Sequence, residues 1–101
     1  LLVDSIPAGD NTIYHWKHRY PIPAYLIAIA VTNYASYSNW VPMAEGPDLQ
    51  VLNYVYPEDL ASAQLQTPDI VEILSFYNEQ FVPYPYADEK YGHAQFEWGG
   101  G

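Results

Sequence analysis

The residues of this chain best suited to chemistry are three histidines, His15, His18 and His93, and the adjacent acids Asp88 and Glu89. His15 and His18 stand three positions apart. On a helix that spacing would put both rings on one face, where they could hold a metal ion. On a strand it sends them to opposite faces. The surrounding stretch, Thr12 to Tyr20, is rich in β-branched and aromatic residues, which suit a pleated, half-buried surface. Both are therefore expected to be sheet histidines. His93 sits among small and polar residues with no second histidine near it in sequence, and a structural role is expected for it too. Adjacent carboxylates act as acid and base only when they converge on one substrate atom. Asp88 and Glu89 are read instead as a solvated turn or a cap. No H-E-x-x-H, G-x-S-x-G or phosphate-binding glycine loop occurs, so no catalytic residue and no metal ligand is assigned. The exception is Gly99-Gly100-Gly101. Glycines after a strand let a ligand backbone approach closely, since no Cβ obstructs it. Taken alone, the triplet reads first as a flexible end.

The elements that must position these residues follow from periodicity. Leu1 to Asn11, with Pro7 and Gly9-Asp10, reads as a strand end and a turn. A strand over Thr12–Tyr20 would place Ile13, His15, Lys17 and Arg19 on one face and Tyr14, Trp16, His18 and Tyr20 on the other. Pro21 and Pro23 then interrupt any ladder. Tyr25 to Tyr37 is predicted as a strand covered on both faces, because Leu26 to Val31 is continuously apolar. Ser38 to Asp48 reads as a connection, and Leu49 to Tyr56 as a strand alternating Leu49, Val51, Asn53 and Val55 against Gln50, Leu52, Tyr54 and Tyr56. Beyond Pro57 the period changes. Glu58–Gln66 suits a short helix, and Thr67-Pro68-Asp69 is a helix start: a capping hydroxyl, proline at the first position, and an acid near the positive end of the dipole. Ile70, Ile73, Leu74, Tyr77 and Phe81 form an apolar stripe along that helix. Pro83-Tyr84-Pro85 ends it, and a last strand runs from about Tyr91 to Trp98.

Composition narrows the classes. The chain has 101 residues, enough for one small domain. Its 17% aromatic content excludes a disordered acidic tail. Only 15% of residues are charged while half are hydrophobic, which suggests surfaces that normally face further protein. Leu at position 1 and the terminal glycines fit a piece cut from a larger chain, with self-association expected of the piece alone. A net charge of -9 excludes nucleic acid as a partner. The absence of cysteine excludes disulfides and thiolate metal sites and leaves the compartment open. No apolar run approaches the roughly 18 residues of a membrane span.

With these elements in place a resemblance emerges. YHWKHRYPIPAYLIAIAVTNYASYS is similar to the segment of aminopeptidase N-type enzymes in which the N-terminal β-domain hands over to the catalytic domain. Ile22-Pro23-Ala24-Tyr25-Leu26-Ile27-Ala28 is similar to the family's Pro-x-x-Tyr-Leu-x-Ala pattern, with one residue rather than two between Pro23 and Tyr25. EILSFYNEQFVPYPYADEKYGHAQFEWGGG resembles the family's helix, its Phe-x-x-Tyr-Pro turn at Phe81, Tyr84, Pro85 and Tyr86, and the strand leading to its G-x-M-E-N motif. Gly100 and Gly101 would be the first two positions of that motif; its Met, Glu and Asn are not in this sequence. The resemblance as a whole covers about residues 12–38 and 68–101.

The resemblance implies a parent enzyme with a thermolysin-like zinc site that removes N-terminal residues from peptides. In such a site two histidines of H-E-x-x-H and a downstream Glu hold the zinc, which polarises the carbonyl and activates water. None of these residues is present here, so no zinc is expected on this chain and no activity from it alone. The resemblance assigns Gly100 and Gly101 to substrate binding, their backbone pairing with the peptide substrate as an added strand. It also divides the chain into 1–38, the end of the β-domain, and 39–101, the start of the catalytic domain. The fold expected is α+β: a mixed or antiparallel sheet with one main helix at about 68–81. A rival reading makes the chain an independent aromatic-rich module for a glycan or protein partner, with Trp16, Trp40 and Trp98 as exposed platforms.

Overall fold

The computed structural model describes residues 1–97. Strand β1 (Leu2–Ala8) and strand β2 (Asn11–Trp16) form an antiparallel hairpin. Ala8 faces Asn11 across the Gly9-Asp10 turn, and Gly9 has φ +65°, a conformation that glycine adopts without steric penalty. The remaining strands are β3 (Ala35–Val41), β4 (Leu49–Val55) and β5 (Tyr91–Ala94), in the order β3-β4-β5. β3 pairs antiparallel with β4, and β5 pairs parallel with it. Helices α1 (Leu60–Gln66) and α2 (Asp69–Gln80) fill the β4-to-β5 crossover, as a parallel connection requires. The fold is α+β with a mixed sheet. Among the described residues no helix is long and apolar enough to cross a membrane.

The core lies where β4 alternates. Leu49, Val51, Asn53 and Val55 are buried while Gln50, Leu52 and Tyr54 are half-buried. Val41, Leu49 and Val51 form the buried cluster, and Met43, Ile70, Val71, Leu74, Tyr84 and Tyr91 close over it. Gly92 on β5 is fixed by crowding, since a Cβ there would sit 2.9 Å from the Leu52 carbonyl oxygen.

Four expectations are corrected. Of the strand expected over Tyr25–Tyr37 only Ala35–Tyr37 forms, as the start of β3. A single 3-10 turn spans Ala24–Leu26, and Ile29 and Val31 beyond it are 87% and 89% exposed. Apolar content alone does not make a strand; a ladder needs a neighbour, and none of the described strands runs beside these residues. Ser38–Asp48 is a connection only after Val41, because β3 carries its first residues through to pair with β4. The Thr67 hydroxyl does not cap α2. It donates to the Ala63 carbonyl at 3.0 Å and lies 3.1 Å from the Tyr37 hydroxyl, closing α1 instead. Finally, the buried stripe of α2 is rotated from the expected one. Ile70, Val71 and Leu74 pack on the core, whereas Ile73 is 47% exposed and Tyr77 and Phe81 are exposed.

That rotation has a measurable consequence. Leu74→Ala should remove about 2 kcal/mol or more of stability, while Ile73→Ala should stay within roughly 1 kcal/mol, near the range of surface substitutions. Urea denaturation of the two variants checks it; equal losses would contradict the packing described.

Candidate functional site

β5 also ends earlier than Trp98. After Ala94 the Gln95 N–H donates to the Tyr54 carbonyl, but the Gln95 side chain then takes over the ladder. Its Oε1 accepts from the Tyr56 N–H at 2.9 Å and its Nε2 donates to Asp59. The Tyr34 hydroxyl donates to the Gln95 carbonyl. These bonds pin the exit of β5, the segment that continues in sequence toward the glycine triplet. Gly100 and Gly101, the expected substrate-binding residues, lie outside the described residues, as do Trp98 and Gly99.

The three histidines are kept apart by three different partners. His15, on β2, has its Nδ1 3.9 Å from an Asp4 oxygen across the hairpin. His18 lies past the end of β2, not within a strand as expected, and its Nδ1 donates to Glu89 Oε2 at 3.0 Å. His93 is on β5, beside the buried Asn53. Asn53 Nδ2 donates to Asn39 Oδ1 at 2.9 Å and to the Val51 carbonyl at 3.3 Å. Its Oδ1 must then accept, and the His93 Nδ1–H at 2.9 Å is the donor. This network assigns the tautomer, leaving Nε2 unprotonated in the neutral ring. Among the described residues no three His, Asp or Glu side chains gather closely enough to hold a metal ion.

Asp88 and Glu89 do more than a solvated turn would. The Glu89 side chain is 7% exposed and receives the Arg19 backbone N–H at 3.0 Å as well as the His18 ring. The Arg19 guanidinium stands 3.8 Å from Glu89 and 3.7 Å from Asp88. The Tyr20 hydroxyl donates to Asp88 at 2.5 Å, a bond that raises the phenol above its ordinary value. Residues 18–20 are thereby clasped to the turn before β5, and the clasp ties the hairpin to the rest of the chain. From Tyr20 a series of edge-on rings runs through Tyr86, Tyr84 and Tyr91 to His93, with centroids 4.7, 5.6, 6.0 and 5.0 Å apart. Such contacts carry packing and no bond-making chemistry. The clasp had one sequence signal: Arg19 is one of only three Lys or Arg residues against 12 acids, so an acidic partner for it was to be expected.

Burial alone pushes the Glu89 carboxyl up, but the Arg19 N–H and the His18 ring together bring it below its ordinary 4.5. A folded value below the unfolded one means the stabilisation is complete above the unfolded value and drains away as pH falls through the folded one. The clasp should therefore hold above about pH 4.5 and loosen in more acid solution. Hydrogen exchange at the Arg19 amide reads this directly. Glu89→Ala, which removes the acceptor, should expose that amide at every pH; unchanged protection would show that the clasp does not hold the segment.

Of the three tryptophans, Trp16 and Trp40 are 53% and 55% exposed. Trp16 is engaged by the Lys90 ammonium, 5.2 Å from its ring centre.

Comparison with known proteins adds one short likeness. The chain is 50% identical over 30 residues to leucine aminopeptidase 2 of Candida glabrata, a stretch covering 30% of this chain and 5% of that protein. The likeness thus spans a small part of the relative's length. No family model matches the chain, and no solved structure matches it.

Proposed function

We propose that this chain is part of a zinc-dependent aminopeptidase of the aminopeptidase N type, which removes N-terminal residues from peptides. The observation that carries the proposal is the 50% identity over 30 residues to a leucine aminopeptidase, beside the order of motifs in the sequence. In this reading residues 1–38 close a β-domain and 39–101 open the catalytic domain. The described residues gather no metal ligands, so zinc would be held elsewhere in the parent.

The chain's own contribution is structural and positional. β5 borders β4 in parallel, pinned at its start by the clasp on Glu89 and at its exit by Gln95. In sequence it leads to Gly100 and Gly101, whose backbone would pair with the peptide substrate. The exposed Leu65, Phe81 and Val82 fit a surface meant for the remainder of a larger protein.

The full-length protein should hydrolyse a leucyl reporter substrate, lose that activity to a chelator and regain it with zinc. A folded full-length protein with no metal-dependent release of N-terminal residues would refute the proposal.

A further inference from the structure

Lys90 directly precedes β5, and its ammonium stands 5.2 Å from the centre of the Trp16 ring and 6.0 Å from that of Tyr54. The chain carries 12 acids against three bases, yet none of the ion pairs among the described residues uses Lys90. His18 and Arg19 take the acids of the adjoining turn. Lys90 faces instead a cleft of about 930 Å³, walled by Trp16, Ile29, Val31, Tyr34, Tyr54 and Phe96. That volume lies within the roughly 300–1,000 Å³ of small-molecule sites.

Ring faces attract a cation but do not neutralise it, and burial pushes the Lys90 ammonium below its ordinary value. A single negative charge placed at Nζ would relieve that cost and form a charge-assisted hydrogen bond. The walls are apolar, so the rest of the ligand should be carbon skeleton. The chain's net charge of -9 repels multiply charged anions, which leaves a monoanion. We propose that this cleft binds a small organic monocarboxylate, its carboxylate on Lys90 Nζ and its aromatic or branched aliphatic body against Trp16, Tyr34 and Tyr54. The site stands on this geometry alone and does not depend on the aminopeptidase reading. Two sources share the chemistry: a free organic acid, and the C-terminal carboxylate of a short apolar peptide.

Titration calorimetry on the 101-residue chain tests the site with 3-phenylpropionate and its amide, and with glycyl-phenylalanine and its C-terminal amide. At least one acid should bind saturably, and its amide at least about tenfold more weakly, since the amide lacks the charge. The tighter of the two acids identifies the source. Lys90→Met, checked for folding by circular dichroism, should reduce acid affinity to that of the amide. Equal binding of acid and amide by the unmutated chain, binding by neither acid, or unchanged affinity in folded Lys90→Met would each overturn the proposal.

Discussion

Leu49→Ala should lower the stability of this chain by about 2–5 kcal/mol, most of what a domain of this size has in reserve. Leu49 opens β4, pairs with Val41 on β3 and is fully buried. Among the described residues the buried hydrophobic core consists of Val41, Leu49, Val51 and Val55. With so few residues in it, neighbouring side chains have little freedom to close the gap that truncation leaves, and the loss should approach the upper part of the range. Two elements depend on the same residue. α2 leans on the cluster through Ile70, Val71 and Leu74, and Tyr84 and Tyr91 pack against it as well. The effect should therefore appear as a lower urea midpoint with an unchanged slope, the sign of a cooperative unit losing stability. A loss under about 1 kcal/mol would mean that this cluster is not the chain's core.

Gly100→Val in the full-length protein should depress kcat/KM on a leucyl reporter by about a hundredfold or more, with folding and zinc content intact. The proposal assigns the Gly100 backbone to main-chain pairing with the peptide, and a β-branched side chain would obstruct that approach. Displacing a substrate by about 1 Å is enough for a loss of that order. Because the zinc ligands of the proposal lie elsewhere, metal content should not change, which separates this outcome from general disruption. Gly99→Ala, one position earlier, should be tolerated better. Wild-type kinetics from Gly100→Val would reduce the triplet to a linker.

Where the sequence was a good guide, the local pattern and the packing agreed. β4 alternates as its residues do, and Leu49, Val51, Asn53 and Val55 all point inward. α2 lies where proline and the acids Asp69 and Glu72 mark a helix start. The failures share one cause: non-local partners decided what local composition could not. The run Leu26–Val31 is the most apolar of the chain, yet none of the described strands lies alongside it to complete a ladder. Ala35–Val41, with Ser36, Ser38 and Asn39, is poor in strand formers, yet it is β3. Its polar residues are satisfied across the pair: Asn39 accepts from Asn53, and Ser38 accepts from Gln50 at 2.9 Å. No window of residues reveals such pairs before the strands meet. The rotated stripe of α2 is similar, since periodicity gives the spacing of an apolar face but its exact azimuth is set by the sheet. The clasp of Glu89 on His18 and Arg19 joins residues about 70 positions apart, and only its charge pattern was readable. Gly100 and Gly101 were legible through motif resemblance alone.

The measurement closest to the central claim is the reading frame beyond Gly101, determined from the gene that encodes the chain. The aminopeptidase proposal predicts that Met-Glu-Asn, or Met-Glu with a close substitute, follows Gly101 directly and that H-E-x-x-H appears within a few dozen residues. A frame that continues without either motif would contradict it.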